Sequence, residues 1–167
     1  MTIDGEALAR CAECGAEQRA GAECRACFEA LLAFEAERPP VFGAVHHLTV
    51  AAYFLQHPIG YAPDILDAWH ALLADALDGR ATPRELMRRH GRQFAGSRRV
   101  RTAEATTPPH WPASWPSTVC SVLNPLEELP TPDVYIERAR AWACETRATL
   151  DALRGTLVHQ GAARAGQ

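Results

Sequence analysis

The stretch VHHLTVAAYFLQHP, Val45 to Pro58, lies in a part of the chain where no Asp, Glu or Arg occurs, from Pro39 to Pro63. A segment without formal charge has the strongest reason to be buried. This one nevertheless carries three histidines, a tyrosine and a glutamine, and buried polar groups need partners or a purpose. The spacing predicts a helix entered near Gly43 and closed by Pro58-Ile59-Gly60. At about 100° per residue, His46, Val50, Tyr53 and His57 share one face, Thr49 and Gln56 flank it, and Leu48, Ala51, Ala52 and Leu55 lie opposite. Such a helix packs on both sides, with its polar stripe turned inward against other helices. His47 sits on the flank near Phe54.

The elements on either side are also helical. Residues 26–38 place apolar side chains at helical spacing and stop before Pro39-Pro40, where the residue before proline is pushed out of the α region. Downstream, PDILDAWHALLADALDG puts Pro63 in a first turn and Gly79 at a C-terminal stop. Leu66, Trp69, His70, Leu73 and Leu77 share one face of that helix, and Asp64, Asp67, Asp75 and Asp78 the wet one. Thr82, with Pro83 after it and Glu85 in capping-box position, opens a fourth helix that runs to about Phe94. A fifth runs from Pro132 to Arg154. Between the last two, the Pro-, Thr- and Trp-rich residues 95–131 form a strap over the helical body, as either a lid or a structural band. Within it STVCSVL reads equally as a strand or one helical turn.

The expected fold is therefore mainly α: a single-domain bundle of about five helices with an N-terminal zinc knuckle. Residues 1–28 are its head, 29–94 helices one to four, 95–131 the strap, 132–156 the C-terminal helix and 157–167 a flexible tail. The 167 residues suffice for one core, and 47% apolar content is ordinary for a globular chain. All 17 basic residues are arginine, and a net charge of -3 gives no global attraction to nucleic acid or anionic membrane. No clean membrane span is present, and the opening MTIDGEALAR lacks the basic and apolar regions of a signal peptide, so the expected compartment is the cytoplasm. There, six cysteines point to metal ligands or buried thiols rather than a disulfide framework.

Cys11-Ala-Glu-Cys14-Gly15 and Cys24-Arg-Ala-Cys27 are two Cys-x-x-Cys pairs nine residues apart. Together Cys11, Cys14, Cys24 and Cys27 supply the four thiolates that tetrahedral zinc prefers, and Gly15 lets the backbone turn beneath the sulfurs. The alternative is four free thiols or a redox pair. A closed four-sulfur site has no open position for substrate, so its expected role is structural.

These motifs and the opening stretch resemble an uncharacterised bacterial family of helical proteins with an N-terminal Cys-x-x-Cys-Gly and a later His-x-Leu-Thr-Val-Asp-x-Tyr-x-x-Gln-His-Pro. The second motif corresponds here to His46 through Pro58. Further matches are Cys24 with Glu35 eleven residues on, His70 in WHALL, Thr118-Val119, and Arg140-Ala141-Trp142-Ala143. The resemblance implies a shared fold and a shared polar face, and no reaction. Ala51 stands where the family pattern has Asp. The family often keeps only the cysteines matching Cys11, Cys14 and Cys24, which leaves room for a histidine as fourth ligand in place of Cys27.

A single-helix metal site on the histidine stripe is excluded, because eleven residues at a rise of ~1.5 Å part His46 from His57 by about 16 Å. A second metal would need neighbours such as Glu35, His70, Cys120 or Cys144. Short connections should bring Glu35 to His46, and His70 to the middle of the stripe. Two accounts follow. In one the polar groups satisfy each other and fix helix register. In the other Glu35, His46, Tyr53, His57 and His70 line one pocket of an enzyme that processes a small molecule or peptide, by proton transfer or through a second metal with an open position. The rival function class uses the eight arginines between Arg80 and Arg101, with Arg84, Arg88 and Arg92 as a stripe, in a zinc-dependent adaptor or nucleic-acid-binding module.

Overall fold

The computed structural model describes residues 9–94 and 111–165, and within them the side chains other than those of 90, 92–94 and 157–165. These residues are mainly helical. One antiparallel ribbon pairs β1 (Ala9–Arg10) with β2 (Glu17–Gln18). The helices are α1 (Cys24–Ala36), α2 (Pro39–Gln56), α3 (Pro63–Leu77), α4 (Pro83–Phe94), α5 (Val119–Val122) and α6 (Pro132–Ala165).

The uncharged helix α2 is the hub, packed on α1, α3, α4 and α6. Its Val41, Val45, Leu48, Ala51, Ala52 and Leu55 are all buried and share one face of the helix. It begins at Pro39, four residues earlier than the spacing predicts. The two prolines start the helix rather than delay it, because in the first turn their missing N–H groups have no intrahelical acceptor to lose. Arg38 before them takes φ −130°, ψ 77°, outside the α region as a residue preceding proline must, and its guanidinium covers the Phe34 ring at 4.0 Å.

After α3, Gly79 turns with φ 65°, and the Thr82 N–H and hydroxyl both donate to Glu85 at the start of α4. STVCSVL resolves as the short helix α5, closed at its N-terminus by a Thr118–Ser121 capping box. Of the expected strap, residues 95–110 lie outside the described residues. The part from 111 onward packs on the body: Trp115 is buried, and Trp111 Nε1 donates to the Leu55 carbonyl at 2.8 Å, serving an acceptor in the last turn of α2. Helix α6 presents Tyr135, Ala139, Trp142, Ala143, Thr146 and Leu150 as one buried stripe. It runs on through Ala165, beyond the expected end at Arg154, because neither a proline nor a positive-φ glycine interrupts it. No helix among the described residues is long and apolar enough to cross a membrane.

Candidate metal centre

The ribbon β1–β2 carries Cys11 and Cys14 in its connecting loop. Cys11 N–H donates to the Ala16 carbonyl (2.8 Å) and Gly15 N–H to the Cys11 carbonyl (3.0 Å). Gly15 needs its φ of +72°, and it also needs to lack a side chain, since a Cβ there would lie 2.6 Å from the Ala113 carbonyl oxygen. The loop is thereby pressed against the strap. Glu13 accepts the Ile59 N–H at 2.8 Å, tying the same loop to the turn after α2. Cys24 opens α1, and His57 closes α2.

One ligand atom each from Cys11, Cys14, Cys24 and His57 fall within 4.8 Å of one another, and the Cys14 and Cys24 sulfurs are 3.4 Å apart. A tetrahedral ion with ~2.3 Å metal–sulfur bonds would set its sulfurs about 3.8 Å apart, so this set could hold a metal ion with little movement. Cys14, Cys24 and His57 are buried and Cys11 half-buried. The histidine is oriented for the task. Its Nδ1 lies 2.9 Å from the Tyr53 carbonyl and donates to it, and its ring stacks on Tyr53 at 4.2 Å. Nε2 remains, buried and with no hydrogen-bond partner, on the side of the sulfurs. A backbone acceptor on one ring nitrogen fixes the tautomer that leaves the other free to ligate.

The sulfurs also share one charge unevenly. Hydrogen bonds from the Cys14 and Cys24 thiols hold the Cys11 thiol far below its usual range, while sharing with Cys11 pushes Cys14 up. Burial opposes a charged His57, but the neighbouring Cys11 and Cys24 sulfurs outweigh it and raise the ring to about 10. Burial pushes the Tyr53 phenol up and keeps it neutral.

Cys27 is not in this set. One turn along α1 from Cys24, it is fully buried and joined in a disulfide to Cys120 of α5, with Cα atoms 5.3 Å apart. The helix that begins at Cys24 carries the Cys27 side chain away from the ribbon and toward α5. The four-sulfur set is thus replaced by three sulfurs and the His57 imidazole.

The five residues expected to line one pocket divide among three places. Glu35 and His46 meet: Glu35 is fully buried, and its Oε2 lies 2.7 Å from His46 Nδ1. Its Oε1 accepts from the Thr49 hydroxyl (2.9 Å) and the Tyr135 hydroxyl (2.7 Å). His57 lies in the candidate metal set at the C-terminal end of α2, with Tyr53 stacked on its ring. His70 faces α6 instead, with Nε2 3.0 Å from Asp151 Oδ1. Tyr135 was missed from sequence, and Cys120, expected only as a neighbour for a second metal, is instead the disulfide partner of Cys27. Tyr135 carried one weak signal, a tyrosine on the apolar stripe of a helix whose hydroxyl had to find an acceptor. Of the arginine stretch, Arg80 and Arg89 both pair with Asp75, and Arg80 also with Asp78. Arg84 and Arg88 are exposed, and the Arg92 side chain lies outside the described residues.

Residues 9–151 match the family model described as a family of unknown function, DUF5946, and the chain belongs to that family. No curated protein and no solved structure gives a significant match to it.

Proposed function

For this member of a family with no assigned activity, we propose a zinc-stapled helical scaffold, in which Cys11, Cys14, Cys24 and His57 hold one structural zinc ion. The observation that carries this reading is His57: its Nδ1 is committed to the Tyr53 carbonyl, and its Nε2 is buried within ligand distance of three sulfurs. A metal ion at that point would take the place of the proton that the ring otherwise shares with the Cys11 and Cys24 sulfurs. Three thiolates and an imidazole in a compact set are soft donors that suit zinc and not calcium or magnesium. All four positions come from the protein, so no coordination site is left for substrate. When bound, zinc would supply a non-redox cross-link between ribbon, α1 and the end of α2. The chain's own contribution is to bring those three segments together, through Gly15 against the strap and Glu13 against Ile59.

The test is metal content per chain on protein purified without added metal, for the parent, Cys27→Ser and His57→Ala. The parent and Cys27→Ser should each carry one zinc. His57→Ala should bind at least about 100-fold more weakly, above the 10- to 100-fold typical of groups that only orient a ligand. Parental affinity in His57→Ala, or loss of zinc in Cys27→Ser, would refute the assignment. Chelation should also unfold the parent, because at such sites binding free energy is folding free energy.

A further inference from the structure

The Cys27–Cys120 disulfide joins the first turn of α1 to α5, and its two sulfurs differ in access. Cys27 is fully buried. Cys120 is half-buried and forms part of the wall of a surface cleft of about 200 Å³, with Arg19 on one side and Asn124 and Glu127 on the other. Exchange begins when a thiolate reaches one sulfur of the pair, so the way in is through Cys120.

Both sulfurs also lie 3.5 Å from one oxygen, the carbonyl of Ala22 just before α1. Ala22 is buried, and no backbone N–H among the described residues donates to that oxygen. While the disulfide is closed, neither sulfur has a hydrogen to offer it. Once it is open, two thiols stand beside a single acceptor that has two lone pairs. A buried carbonyl without a donor costs free energy, and the reduced pair removes that cost. The site therefore holds a fitted partner for its reduced form, and a stabilised reduced form is what makes a disulfide easy to open. The fold does not depend on this bond alone to keep α5 in place. Gln56 Nε2 donates to the Ser117 carbonyl at 2.9 Å, Trp111 Nε1 donates to that of Leu55 at 2.8 Å, and Val119 and Val122 are buried.

We propose that Cys27–Cys120 is a reversible thiol–disulfide exchange site, whose substrate is a low-molecular-weight thiol that enters the cleft at Cys120. Its thiolate attacks Cys120 Sγ, the Cys27–Cys120 bond breaks, and the electron pair leaves on Cys27 Sγ, which takes a proton from water and donates to Ala22. A second thiolate then attacks the sulfur of the first and releases Cys120, which is protonated in turn. Two small thiols are oxidised to one disulfide, the protein pair is reduced by two electrons, and the two protons the thiols lose are balanced by those gained at Cys27 and Cys120. The reverse sequence, with the small disulfide as oxidant, closes the pair again.

The test equilibrates the full chain, with zinc present, in mixtures of glutathione and glutathione disulfide. Samples are quenched in acid and unfolded, their free thiols are alkylated, and tryptic peptides are mapped, cleavage at Arg25 separating Cys24 from Cys27. Cys27 and Cys120 should pass together from unlabelled to fully labelled as reduced glutathione comes into excess, with the far-UV circular dichroism retained. In Cys27→Ser, Cys120 should take up one glutathione from the disulfide, and in Cys120→Ser the buried Cys27 should take up none over the same time. A pair that stays oxidised in excess glutathione, as structural disulfides do, or stays reduced in excess glutathione disulfide, would overturn the proposal. So would unfolding on reduction, or an adduct on Cys27 in place of Cys120. Cys11, Cys14 and Cys24 are read on other peptides, so this site and the metal assignment stand or fall separately.

Discussion

Tyr135→Phe removes one oxygen atom from the core and tests whether Glu35 is held there as a charged acceptor. Glu35 is fully buried and receives three side-chain donors: His46 on Oε2, and Thr49 and Tyr135 on Oε1. Burial first, and then the Glu35 charge, push the Tyr135 phenol far above its ordinary value, so the tyrosine always donates. The ring itself stays in place against Phe34, at 4.7 Å between centroids, so the cavity left is no larger than the lost hydroxyl. The loss is then that of one hydrogen bond to a charged group, about 1.5–3 kcal/mol, or roughly 3–12 °C in Tm for a chain of this length. Thr49→Val should lose a comparable amount. The double variant strips Oε1 of both donors and should approach the about 3–5 kcal/mol of a broken buried ion pair. The two losses need not add, since both residues serve one oxygen. The assay is urea unfolding followed by circular dichroism at neutral pH, with zinc content checked in each variant to confirm that the far end of α2 is untouched. A Tyr135→Phe variant within about 0.5 kcal/mol of the parent, the range of an ordinary surface change, would refute the reasoning, because Glu35 would then not depend on this donor.

Two further outcomes follow from the same structure. Gly15→Ala should destabilise by about 1–3 kcal/mol or more, since its φ of +72° is disfavoured for alanine and the new Cβ would lie 2.6 Å from the Ala113 carbonyl oxygen. Because Gly15 underlies the cysteine loop, zinc affinity should fall with it, and parental affinity with parental urea midpoint would count against the strap as a clamp. His70 gives a pH dependence: burial first, and then the Arg154 charge, hold its folded-state value below the ordinary 6.5 despite Asp151. The unfolded chain therefore takes up that proton more readily than the folded one. The stability His70 contributes is present above 6.5 and is lost as pH falls through its folded value. His70→Gln should flatten that part of the stability–pH curve, and an unchanged slope between pH 7 and about 5 would rule out His70 as its source.

The helices were legible wherever local chemistry decides. Gly79 and the Thr82–Glu85 box closed and opened α3 and α4 as expected, because turn glycines and caps act within a few residues. The start of α2 was misread for a reason just as local: a proline pair ends one helix and begins the next, and periodicity alone does not say how many residues lie between. Three of the four residues of the set that could hold a metal were legible from Cys-x-x-Cys spacing. The fourth was not, because whether Cys27 faces the ribbon or α5 depends on where α5 packs, and Cys120 lies 93 residues away in sequence. Tyr135 is hidden in the same way, reaching Glu35 across 100 residues.

The histidine stripe shows which of two sequence-derived quantities carries weight. Angle around the helix put His46, Tyr53 and His57 on one face and suggested one site. Distance along the axis, about 16 Å from His46 to His57, already required two. The structure follows the distance. At one end His57 is both the residue that closes α2 and the nitrogen that meets the cysteines, so lengthening or fraying the helix by even one residue would withdraw the ligand. Near the middle of the helix His46 is fixed by a carboxylate from α1 that is itself held by α6. The uncharged helix joins these two places, and a charge on its buried face, which carries Val41, Val45, Leu48, Ala52 and Leu55, would be desolvated without a partner.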